Sequence, residues 1–111
     1  MLNRIQFPGK YLQASGALAE LPKTIAQFGK QGLVLASPSA HGILTRDTTP
    51  TEVRALPSLR FGGECCEKEI ARLAAAIAQN RADVLVGMGG GKAIDTAKIA
   101  ADRAGIPVVI V

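Results

Sequence analysis

Val84-Leu85-Val86 is a short apolar run rich in β-branched residues, and Gly87, Gly89, Gly90 and Gly91 follow it at once. Such a run predicts a central strand covered on both faces and stopped by glycines. Past the glycines, Ile94, Ala97, Ala101 and Ala104 recur at spacings of three and four and predict a helix over 92–104. Gly105 is its predicted C-cap, and Pro107 blocks continuation. A β-branched run at 107–111 then predicts another strand. Ile70, Leu73, Ala74 and Ile77 set a second helix over 67–80, with Glu67 and Glu69 in the first turn, where the helix dipole favours acids.

The earlier half is read the same way. Arg4 to Gln6 and Tyr11 to Gln13 flank the turn pair Pro8-Gly9 and predict a short antiparallel ribbon. Leu18, Leu21, Ile25 and Phe28 form a helical stripe from Gly16 to Phe28, with a kink or restart expected at Pro22. Leu33 to Ala36 reads as a strand closed by Ser37-Pro38-Ser39. Residues 39–57 carry the weakest pattern, with short helical turns at 40–44 and 51–56. Ser58 to Phe61 is a strand by position, broken by Gly62-Gly63. Strands alternating with helices predict an α/β fold, a parallel sheet built from βαβ units with flanking helices.

Composition narrows the function classes. With 111 residues there is room for one domain, and 48% hydrophobic against 20% charged residues predicts a folded core. The net charge of +4 is spread from Arg4 to Arg103 without a cluster, and only 4% of residues are aromatic, so no nucleic-acid partner is expected. No apolar run approaches the roughly 20 residues of a membrane span, so no membrane partner is expected either. Cys65 and Cys66 are adjacent and have no third cysteine to pair with, which suits a reduced, cytoplasmic compartment. The sequence stops at Val111 inside an apolar run, and a truncated C-terminus is expected.

The glycine loop holds the candidate chemistry. A helix that opens directly after glycines offers free backbone N–H groups and the positive end of its dipole, which together suit a phosphate. Two familiar templates fail. Gly91-Lys92 is followed by Ala93 rather than a hydroxyl residue, and Val86 stands where a Walker A loop needs its first glycine. Gly87 and Gly89 begin a dinucleotide fingerprint, but Lys92 occupies its last glycine position. Lys92 reads either as a counter-charge to a phosphate or as a solvated surface residue. Asp95, one turn in, reads either as an acid satisfying the dipole or as a group facing the mouth of the loop.

Gly89-Gly90-Gly91-Lys92-Ala93-Ile94-Asp95-Thr96-Ala97-Lys98 resembles the Gly-Gly-Gly-Lys/Ser-x-x-Asp-x-Ala-Lys motif of the iron-containing alcohol dehydrogenase superfamily, closest to its glycerol dehydrogenase branch. Pro8-Gly9-Lys10-Tyr11, Phe61-Gly62-Gly63-Glu64-Cys65 and the closing 106–111 strand resemble that family in the same order. The resemblance implies that residues 1–111 form a Rossmann-like NAD-binding domain whose C-terminal helical partner domain is absent. It implies NAD as cofactor, a small polyol such as glycerol as substrate, and a homo-oligomer in the full-length form. It also implies Zn2+ or another divalent metal held in that further domain, so that the 111 residues alone are inactive. By the same resemblance Gly89, Gly90, Gly91 and Lys92 hold the NAD pyrophosphate, and Asp95 lies beside the nicotinamide end. Family members often carry an Asp on the adenine ribose after the first parallel strand, and Ser37 stands at that position, which implies weaker NAD binding or better tolerance of NADP. No catalytic residue and no metal ligand is assigned; His41, the single histidine, is expected at the surface. Cys65 occupies a family position near a helix start and is expected to be structural or incidental. Two other readings stay open: a dehydroquinate synthase-like lyase, which shares the two-domain plan, and a non-catalytic nucleotide-binding module.

Overall fold

Gly32–Ala36 and Val84–Met88 lie side by side as fully buried, parallel inner strands of a six-stranded sheet in a computed structural model of the chain. The structure describes residues 2–3, 11–14 and 18–111, with side chains from residue 18 onward. The strands are β1 (Leu2–Asn3), β2 (Tyr11–Ala14), β3 (Gly32–Ala36), β4 (Ser58–Arg60), β5 (Val84–Met88) and β6 (Val108–Ile110). Their order across the sheet is β1-β2-β6-β5-β3-β4, with β1 antiparallel to β2 and every other pair parallel. This is the expected α/β sheet of a Rossmann-like domain with flanking helices.

The helices are α1 (Leu21–Ala26), α2 (Pro38–Leu44), α3 (Thr51–Arg54), α4 (Glu67–Gln79) and α5 (Gly91–Ala104). Two separate clusters show that both faces of the sheet are covered. Ile70, Leu73 and Ile77 of α4 and Ala93, Ala97, Ala100 and Ala101 of α5 pack on Leu33, Leu35, Leu85 and Ile110. Leu21 and Ile25 of α1, Ala40 and Leu44 of α2 and Val53 of α3 pack on Val34, Val84, Val86 and Val109. Alternate residues of each strand feed opposite clusters, which is why the central strands read as unbroken apolar runs rather than as alternation.

Several boundaries differ from the sequence pattern, for physical reasons. The stripe beginning at Leu18 is a 3-10 turn (Leu18–Glu20) followed by α1, with Pro22 in the first turn of α1, where its missing N–H costs nothing. The start of that stripe, at Gly16 and Ala17, lies outside the described residues, as does the Arg4–Gln6 arm of the ribbon with Pro8-Gly9-Lys10. The antiparallel pair that is described lies before that arm, with Leu2 opposite Ala14 and Asn3 opposite Gln13. Strand β5 runs on through Gly87 to Met88. Gly87 does not stop the strand because its role is to make room: a Cβ there would sit 2.9 Å from Ala97 Cβ and 3.2 Å from Ile110 Cδ1. Helix α5 can therefore lie close against β5, and Gly105 ends it with a φ of 70° as the expected C-cap.

At the opposite end of the sheet, Asp83 fixes the loop into β3. Its carboxylate accepts the Lys30 amide at 3.0 and 2.9 Å and the Gln31 amide at 2.8 Å, and these backbone bonds hold its pKa below the ordinary aspartate value. No helix among the described residues is long and apolar enough to cross a membrane.

Candidate functional site: a glycine loop at the switch of the sheet

The chain passes from β3 outward to β4, then crosses back over β3 to place β5 on its other side. The sheet order therefore reverses between β3 and β5. In open α/β sheets a crevice forms at such a point, beyond the carboxyl ends of the two strands, because their following segments leave to opposite faces. Here α2 follows β3 on one face and α5 follows β5 on the other. Both helices start at the same crevice.

The two starts differ in how their amides are satisfied. Ser37 is the N-cap of α2, and its Oγ accepts the Ala40 N–H at 3.3 Å. Gly90 is the N-cap of α5, with φ −78° and ψ 173°, and no side chain caps that helix. The first backbone bond of the turn runs from the Ile94 N–H to the Gly90 carbonyl at 3.1 Å. The amides of Gly91, Lys92 and Ala93 precede that bond, at the positive end of a 14-residue helix. Cβ atoms at Gly90 and Gly91 would meet nothing within 4 Å, so the loop opens onto free space.

Gly89 turns the chain from strand to helix with a φ of 118°, a left-handed conformation that side chains rarely adopt. It also packs directly on Ser37: a Cβ at Gly89 would lie 2.6 Å from Ser37 Cβ and would collide with its hydroxyl. The Ser37 N–H donates to the Met88 carbonyl at 2.9 Å, carrying the β3–β5 ladder one step past the strand ends. The structure thus brings Ser37 against Gly89, although the two are far apart in sequence. The Ser37 hydroxyl is engaged as the α2 cap, which sequence position alone did not reveal.

Lys92 and Asp95 are both exposed on the first turns of α5. The Lys92 ammonium donates to Glu64 at 3.2 Å (Oε1) and 3.4 Å (Oε2). Glu64 belongs to the Phe61-Gly62-Gly63-Glu64-Cys65 segment after β4, which therefore forms one wall of the loop. That wall is tethered by Glu69, whose sequence position marks it only as a first-turn acid of α4. Glu69 is buried; its carboxylate accepts the Gly62 amide at 2.6 Å and the Arg72 guanidinium at 2.8 and 2.7 Å. Arg72 also donates to the Arg60 carbonyl at 2.7 Å. Farther along, Arg103 of α5 pairs with Glu67 of α4 at 2.8 and 2.9 Å.

The Arg72 guanidinium, helped by the Gly62 amide, holds the Glu69 carboxyl below its ordinary value of 4.5 against the opposing effect of burial. The folded state therefore gives up this proton more readily than the unfolded chain. The resulting stability is complete above the unfolded glutamate value and is lost as pH falls through the folded one. Glu69→Gln is expected to cost about 1–2 kcal/mol at pH 7 and far less in acid, read as urea midpoints across pH. A penalty that stays constant with pH would contradict this.

Cys65 and Cys66 are exposed, free thiols, with Cys66 at the N-cap of α4. His41 is half-buried within α2. Among the described residues no group of three or more His, Cys, Asp or Glu side chains is arranged to hold a metal ion such as Zn2+.

A glycine loop and an uncapped helix at the switch of a parallel sheet define a Rossmann-like α/β domain of the kind that receives phosphate-bearing ligands. The model of the iron-containing alcohol dehydrogenase family matches residues 8–110, and the chain belongs to that family. It is 38% identical over 114 residues to a glycerol dehydrogenase of Thermotoga maritima, a match that takes in 100% of this chain and 31% of that enzyme. Among solved structures it is similar to a probable glycerol dehydrogenase from Sinorhizobium meliloti 1021, with a TM-score of 0.74, 38% identity and coverage of 93% of this chain and 28% of the other. The glycerol dehydrogenase of Schizosaccharomyces pombe superposes with the same TM-score of 0.74 at 27% identity, over 97% of this chain and 28% of that one. The chain spans less than a third of the length of the curated relatives it matches.

Proposed function

We propose that residues 1–111 form the cofactor-binding domain of a glycerol dehydrogenase-like oxidoreductase and that the crevice between β3 and β5 takes NAD. The observation that carries this is the start of α5: a long helix opens uncapped onto free space at the switch of the sheet, with glycine at Gly89, Gly90 and Gly91. The amides of Gly91, Lys92 and Ala93 donate to the pyrophosphate, and the Lys92 ammonium offsets its charge. Asp95, one turn along α5, lies toward the nicotinamide. Ser37, at the end of β3, lies toward the adenine ribose. Bound NAD would supply a hydride acceptor for a secondary alcohol such as that of glycerol. The chain's own contribution is to hold and orient the cofactor. Similarity to glycerol dehydrogenases supports the polyol substrate class.

Calorimetric titration of the chain with NAD tests the reading directly; failure to bind at millimolar NAD removes it. Ser37→Asp tests the ribose end. Aspartate keeps the α2 cap, and its carboxylate accepts from a ribose diol while repelling a 2′-phosphate. The ratio of NADP to NAD dissociation constants is expected to rise at least about fivefold, since like charges in contact cost on the order of 1 kcal/mol or more. An unchanged ratio would remove Ser37 from the ribose site.

A further inference from the structure

The loop's lysine is already held by a carboxylate. Lys92 lies within 3.2–3.4 Å of both oxygens of Glu64, yet the two side chains are 64% and 73% exposed. An ion pair this exposed contributes little to folding, because water screens it and both side chains lose freedom. Its placement is more informative than its strength. Glu64 stands at the mouth of an uncapped helix start, on a wall whose root is fixed by the buried Glu69 through Gly62 and by Arg72 through Arg60. The carboxylate is therefore kept beside the loop without being locked onto it.

We propose that Glu64 is a competing counter-anion of the loop: it occupies Lys92 until a phosphate displaces it, and so weakens anion binding there. This rests on the reading of the loop as a dinucleotide site. A pyrophosphate seated on the α5 amides places negative charge beside Lys92, and one ammonium then faces two competing anions. Glu64 then gives up its pair with Lys92 and swings into solvent. The loss of that pair is set against whatever the phosphate gains from Lys92, so the Glu64 charge opposes binding there.

The test is calorimetric NAD titration of the unsubstituted chain, Glu64→Gln, Glu67→Gln, Lys92→Gln and the Glu64→Gln/Lys92→Gln pair. Glu67→Gln removes an equal charge three residues away, from a carboxylate paired instead with Arg103. Glu64→Gln is expected to tighten NAD roughly two- to fivefold at low salt, the range set by exposed ion pairs. The gain should fade at about 0.5 M salt, where screening acts within a few ångströms. Glu67→Gln should show no such gain, and Glu64→Gln should add nothing once Lys92 is glutamine. No gain in Glu64→Gln, an equal gain in Glu67→Gln, or a gain that survives loss of the Lys92 charge would each overturn the proposal while leaving the dinucleotide reading in place. Absence of NAD binding in the unsubstituted chain would overturn both.

Discussion

Gly90→Asp is expected to weaken NAD binding at least tenfold while leaving thermal stability unchanged or slightly raised. Gly90 is the N-cap of α5, its φ of −78° suits any residue, and its Cβ position is open. Aspartate is a favoured N-cap and improves on glycine by a few tenths of a kcal/mol. The same carboxylate accepts the amides that a pyrophosphate needs and sets a negative charge within about 4–5 Å of it, a repulsion of roughly 1–4 kcal/mol at the effective dielectric of a protein surface. Folding and binding thus move in opposite directions, which a general disruption of the loop cannot produce. Calorimetry and thermal unfolding on the same sample read both. NAD affinity equal to that of the unsubstituted chain would remove the α5 start as the phosphate site.

Gly87→Val is expected to destabilise the fold by about 2–3 kcal/mol, at the upper end of the range for overpacked cores. A single Cβ already falls 2.9 Å from Ala97 Cβ. Valine adds two methyl groups where α5 lies against β5, and the helix must shift to accept them. Chemical denaturation measures the loss. A cost below about 0.5 kcal/mol would mean that α5 is not held against β5 by close approach at Gly87, since tight cores do not absorb such volume freely.

The sequence pattern and the structure agree most closely where one face or one layer decides the outcome. Strands β3 and β5 are buried on both sides and read as apolar runs, and α4 and α5 carry a 3.6-residue period that needs no knowledge of their neighbours. The glycine loop was visible for the same local reason. What stayed hidden depends on which strands are neighbours. Gly87 looked like the end of a strand because its packing partner, Ala97, matters only once α5 folds back onto β5. Ser37 meets Gly89 only because β3 and β5 are adjacent, and their adjacency is a property of strand order. Glu69 looked like an acid placed for its own helix dipole, whereas its bonds are to Arg72 and to the Gly62 amide, across the loop. Lys92 and Glu64 are 28 residues apart and no local period links them.

The unequal caps of α2 and α5 give the crevice a direction. On the β3 side the first turn is closed by a serine hydroxyl, whereas on the β5 side three amides have no side-chain cap. On the proposed reading, negative charge is therefore favoured at one edge only. A long ligand with its anionic segment off-centre cannot lie across these strands equally well in both senses, because reversing it would take the charge away from the donors. If the crevice takes NAD as proposed, orientation is encoded by a single hydroxyl that closes the first turn of α2, without any side chain having to read the ligand's two ends.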